Sequence, residues 1–135
     1  MQVAARILAG LLAIFLVFNA ALYFFNPLAA AGVSGLDPTT DFGVTNIRIQ
    51  AASTLMMAIA AGIGAWKQNW LFMLPVVATF LFVALIRVFG LVADGADPST
   101  LRGIVLALVL FGLAEFAAIV FRKSEQSAAK VQALA

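Results

Sequence analysis

The chain has 135 residues, 64% of them hydrophobic and 10% charged, with a formal net charge of +2. A soluble domain is about half apolar and a quarter charged, and a small globule has too much surface to cover with so few charges. Composition therefore excludes an ordinary soluble domain, a disordered chain and a nucleic-acid binder. Cysteine and histidine are both absent. Disulfides, thiolate nucleophiles, iron–sulfur clusters and the usual metal and haem ligands are thus not expected, and neither a metal nor a cofactor is assigned.

A helix that spans a bilayer needs about 20 mostly apolar residues. Four runs qualify, with spans of about 5–25, 47–66, 70–93 and 101–121. All are too long, and too uniformly apolar, to read as half-buried strands. The fold expected is all-α: one four-helix transmembrane bundle over residues 1–121, followed by a polar cytoplasmic tail at 122–135.

The first run is interrupted by Asn19 and ends at Asn26–Pro27, where proline stops the hydrogen-bond ladder. Its apolar core is longer than that of a secretion signal and its basic flank is the single Arg6, so cleavage after Ala29-Ala30-Ala31 is not expected. A loop of about twenty residues, Asn26–Asn46, follows. It holds Gly35-Leu36-Asp37-Pro38-Thr39-Thr40, echoed sixty residues later by Gly95-Ala96-Asp97-Pro98-Ser99-Thr100. Aspartate before proline suits a helix start, and two helix caps explain the echo more simply than a duplicated hairpin does.

The second run is dense in small residues, with Ala58–Gly62, Ala60–Gly64 and Ala61–Ala65 at the spacing that lets helices approach closely in lipid. It is expected at the centre of the bundle. The fourth run has a similar face in Gly103, Ala107, Ala114 and Ala118. The third carries large residues, among them Leu71, Phe72, Phe80, Phe82, Leu85 and Phe89, and should face lipid. Pro75 fits either the first turn of that helix or a kink. The twelve phenylalanines read as lipid-facing bulk.

Basic residues near span ends mark the cytoplasmic side. Arg6, Lys67, Arg122, Lys123 and Lys130 fall on the side of the termini, against Arg48 and Arg102 on the other, so both termini are expected in the cytoplasm. Trp66 and Trp70 bracket the inner turn, while Tyr23, Phe24 and Phe25 mark the outer edge.

An arginine or aspartate at mid-membrane costs about 2.5–3.5 kcal/mol on insertion scales, so such residues turn inward and find partners. Arg48, Arg87, Asp94 and Glu115 form the candidate polar cluster, with Asn19, Gln50 and Arg102 as secondary members. Arg87 and Asp94, seven residues apart, share a face. Arg87 and Glu115 are expected to differ in depth by about 10 Å, a gap that two extended side chains and a water nearly close. Two readings stand side by side. The cluster is glue that fixes helix register, or it lines a pocket open to the outer face that takes a small anion, a lipid headgroup or a partner residue. No acid–base pair, phosphate loop or metal-ligand spacing is present, and catalysis is not expected.

Asn46-Ile47-Arg48-Ile49-Gln50-Ala51-Ala52 opens the second span, Arg87 with Asp94-Gly95 closes the third, and Glu115 lies within the fourth. This pattern, from Arg6 to Arg122, resembles the domain-of-unknown-function 4345 family, short bacterial membrane proteins with four predicted helices. The chain departs from that pattern where Ala51, Ala52 and Ser53 replace the small, often glycine, residues after the second-helix arginine. The resemblance implies a bacterial inner-membrane location and carries no activity with it. The expected role is that of a non-enzymatic accessory or interaction subunit. Its partners would be the lipid bilayer and other membrane subunits or further copies of the chain. A binder or transporter of a small anionic or lipidic ligand is the alternative.

Overall fold

The computed structural model describes residues 1–34, 37–93 and 98–134. Among the described residues the chain is all-α, with five helices: α1 (Gln2–Phe25), α2 (Pro27–Ser34), α3 (Asp41–Lys67), α4 (Leu74–Ala93) and α5 (Pro98–Ala133). A single 3-10 turn, Trp70–Phe72, leads into α4. Four of these segments are long and apolar enough to cross a membrane, and the chain is a membrane protein.

The joints explain where the helices differ from the apolar runs. Asn26 ends α1, its N–H donating to the Leu22 carbonyl. Its side-chain oxygen then accepts from Ala29 N–H at 3.3 Å, so the same residue starts α2 with Pro27 in the first position. The expected loop therefore contains a short helix, whose Ala30 and Ala31 are buried with Ile47 against Leu22 and Tyr23. Helix α3 starts at Asp41, ahead of the apolar run, because Thr40 caps it: the hydroxyl accepts from Gly43 N–H at 3.1 Å. The expected Asp37–Pro38 start is not used. Pro98 does open α5.

At the other end, Gln68 adopts a left-handed conformation (φ 52°) and closes α3. Asn69 accepts from Leu71 N–H at 2.8 Å and starts the 3-10 turn. Pro75 is the second residue of α4, in its first turn, where no hydrogen bond is lost. Gly64 clears a notch for the fully buried Met73 of this turn: a Cβ there would stand 2.9 Å from the Met73 sulfur.

Packing follows a heptad. On α3 the buried positions include Ile47, Ala51, Thr54, Ala58, Ala61 and Ala65, alternating four and three residues apart, with Gly64 buried beside them. On α1 they include Ala5, Ala9, Leu12, Leu16 and Ala20. On α5, Gly103, Ala107, Leu110, Ala114, Ala117 and Phe121 keep the same rhythm. This spacing sets the ridges of one helix into the grooves of the next at a shallow angle. Lipid provides no hydrophobic drive for helices to associate, so close van der Waals contact along alanine seams does the work.

The order of contact around the bundle is α3–α1–α5–α4, with α3 and α4 only loosely joined. The central helices are thus α1 and α5, each with two extensive neighbours. The expectation for α3 fails because its small-residue face packs mainly on α1, with Gly64 against the 3-10 turn and little contact with α4 or α5. The expectation for the third span is met: its membrane window is 17% buried, the lowest of the four. Phe80, 8% exposed, turns into the interior together with Met73, Val76, Val77 and Ala84. Helix α5 runs 36 residues, about 54 Å, so the polar segment from Arg122 is the end of this helix continuing past the ~30 Å hydrocarbon core. Arg122 stacks over Trp70, 5.2 Å from the ring centroid, and pins α5 to the α3–α4 turn.

Ala61, fully buried on the α1–α3 seam, has no room for a larger side chain. Ala61→Leu should destabilise the bundle by about 1–3 kcal/mol in detergent unfolding. Ile59→Leu, at a position 47% exposed on the same helix, should leave stability within about 0.5 kcal/mol.

Candidate functional site

The end of the bundle away from both termini is where α1 and α4 finish and α3 and α5 begin. There α1, α2, α4 and α5 enclose a cleft of about 560 Å³. Its polar lining is Asn19 and Tyr23 from α1, Ser34 from α2, Arg87 from α4 and Arg102 from α5. Asn19 and Tyr23 lie one turn apart on one face of α1. Asn19 donates to the Phe15 carbonyl at 2.9 Å, a bond that holds its amide against its own helix. The Tyr23 hydroxyl lies 3.2 Å from the Ser34 hydroxyl and ties α2 to α1 as one wall of the cleft.

Arg87 is half-buried, and its position depends on a missing side chain across the gap. A Cβ on Gly103 would fall 2.5 Å from the Arg87 guanidinium carbon and 3.0 Å from Nε. The guanidinium therefore packs against the bare backbone of α5 at Gly103. Any other residue at 103 would push it away. Arg102, next to Gly103, is exposed and lines the same cleft. Two arginines thus line one cavity, Arg102 also bordering the outer face of α5 with Leu101 and Val105. Each presents a planar fork of donors that matches carboxylate or phosphate oxygens, and their field acts more strongly near a low-dielectric wall than in water.

The structure divides the cluster expected from sequence. Arg87, Arg102 and Asn19 share the cleft. Arg48 is exposed on a different groove, between α1 and α3, lined by Ala20, Ala21, Phe24 and Leu55. Gln50 is exposed as well; its main-chain carbonyl accepts from Ser53 at 3.0 Å and Thr54 at 2.8 Å. Glu115 is half-buried on α5, twelve residues past Gly103. That is about 18 Å of helix, so the Arg87 guanidinium, held at the level of Gly103, is out of its reach. The expected gap of about 10 Å was counted between positions along the helices, and the Arg87 side chain reaches to Gly103 rather than toward Glu115. Asp94 lies outside the described residues.

Tyr23 and Ser34 are site residues that sequence reasoning passed over. Tyr23 read as an interfacial aromatic, although its place one turn after Asn19 was a usable signal. Ser34 depends on α2, which hydropathy does not reveal. Gly103 was read as a packing residue, whereas its lack of a side chain makes room for Arg87. No family model, curated protein or solved structure matches the chain, so the site rests on its own geometry.

The Arg87–Gly103 contact should appear as an energetic coupling. Alanine is favoured over glycine inside a helix by about 0.8–1.0 kcal/mol. Gly103→Ala should therefore stabilise the bundle by about that amount when residue 87 is already alanine, and by clearly less when arginine is present. A double-mutant cycle on unfolding free energies in detergent reads this directly, and additive effects would contradict the contact.

Proposed function

We propose that this membrane protein binds a small ligand bearing an oxyanion, carboxylate or phosphate, in the cleft formed by Arg87 and Arg102. The observation that carries this reading is the Arg87 guanidinium laid over Gly103 beside a second arginine in one cavity of about 560 Å³. Keeping a guanidinium partly buried is costly, and glue between helices does not call for a cleft with two like charges on its wall. An oxyanion between the forks offsets that repulsion.

The role is binding or transport rather than catalysis. The accessory-subunit role expected from the sequence would use the apolar faces of α3 and α4, which suit acyl chains as well as a protein, so the cleft carries the conclusion. The excess of basic residues beside the termini supports a cytoplasmic location for both, with the cleft on the opposite face. The resemblance to the domain-of-unknown-function 4345 family supports a bacterial inner membrane, and membership of that family is part of this proposal.

Inorganic phosphate titrated into detergent-solubilised protein should broaden and shift its phosphorus resonance. Arg102→Ala, a change at an exposed position that leaves the core untouched, should weaken binding about tenfold or more, since a charge-assisted hydrogen bond contributes about 1.5–3 kcal/mol. Arg48→Ala, on the separate groove, should leave it unchanged. Binding that is absent, or insensitive to Arg102, would overturn the assignment.

A further inference from the structure

A second space, more open than the cleft, adjoins it toward the middle of the bundle. It holds about 180 Å³ and is lined by side chains of all four spanning helices. Asn19, Tyr23, Arg87, Gly103 and Leu106 line both spaces, so the two adjoin along these residues. Beyond that shared boundary the wall is apolar: Leu16, Met57, Phe80, Val83, Ala107 and Leu110. Thr54 is the polar residue among these inner positions, and its hydroxyl is already donated to the Gln50 carbonyl of its own helix. The space exists because α3 and α4 are only loosely joined there, while Gly103 and Ala107 keep the α5 wall low.

Resting on the oxyanion reading of the cleft, we infer that the ligand is a single-chain amphiphile. Its anionic head lies against Arg87 and Arg102, and its alkyl chain runs inward along the apolar sleeve. Polarity changes once along this path, at Arg87, as it does between the head and tail of such a molecule. A free inorganic anion would leave the sleeve unused. The sleeve has about a third of the cleft's volume, which suits one chain and not the two of a diacyl lipid.

The test compares inorganic phosphate with hexyl phosphate, each titrated below micelle-forming concentration into the full chain in a nonionic detergent. Burying one methylene strengthens binding about fourfold, so two or three methylenes in the sleeve should favour hexyl phosphate by more than tenfold. Val83→Phe fills the sleeve from a half-buried position one turn before Arg87 and replaces neither arginine, and unchanged inorganic phosphate binding is the check that Arg87 is not displaced. It should remove most of that preference and leave inorganic phosphate binding as it was. Equal affinity for the two probes, or a preference that survives Val83→Phe, would overturn the chain-in-sleeve assignment while leaving the anion cleft standing. Failure of both probes to bind would overturn the cleft and the sleeve together. Thermal unfolding of Val83→Phe within a few degrees of the parent chain establishes that its loss of preference is not a loss of fold.

Discussion

A guanidinium inside a bilayer cannot be solvated by acyl chains, and the arrangement of the loop end follows from that constraint. Long basic side chains near span ends usually reach outward to water along an apolar surface. Arg87 instead lies across the gap to α5, on the one residue there without a side chain. Helix α2 and the Tyr23–Ser34 pair wall the space in front of it. A charge that would be a liability against lipid becomes the wall of a polar cleft.

The same economy of side chains builds the rest of the bundle. Where α1 meets α3 and α5, alanines at heptad positions bring the helices close enough for dispersion forces to hold them. Where α3 meets α4 the seam is not continued, and Phe80 and Val83 face a cavity rather than a second alanine ridge. A bundle packed to full density on all four seams would be more stable and would have nowhere to put a ligand. The loose seam and the bare glycine are two aspects of one site, and each lowers local packing to make room.

The four spans were legible because a transmembrane run of twenty apolar residues has no competing explanation. The alanine faces of the second and fourth spans were legible for the same reason, since lipid selects small residues at contacts. The end of α1 at Asn26–Pro27 and the Pro98 start of α5 were legible too, but the starts of α2 and α3 were not. Thr40 and Asn26 set the boundaries through side-chain caps, and such polar residues look like loop to a hydropathy reading. The relation of Arg87 to Gly103 was also hidden. Each residue was visible alone, as a charge needing a partner and as a small packing residue, but nothing in one sequence says that they lie at the same depth on neighbouring helices. Depth counted from span ends also gave no hint that the Arg87 head lies at Gly103, because a long side chain displaces its charge from its own Cα.

The central claim is that water and anions reach Arg87 from the side of the membrane opposite the termini. The chain has no cysteine, so single-cysteine variants report their own surroundings. Asn19→Cys lines the cleft, while Phe18→Cys, at a position 68% exposed, faces lipid on the same helix. In sealed vesicles of known orientation, a membrane-impermeant thiol reagent applied from the side opposite the termini should label position 19 readily and position 18 hardly at all. Equal, slow labelling of both would mean that the cleft is closed to water, and the account built on it would fail.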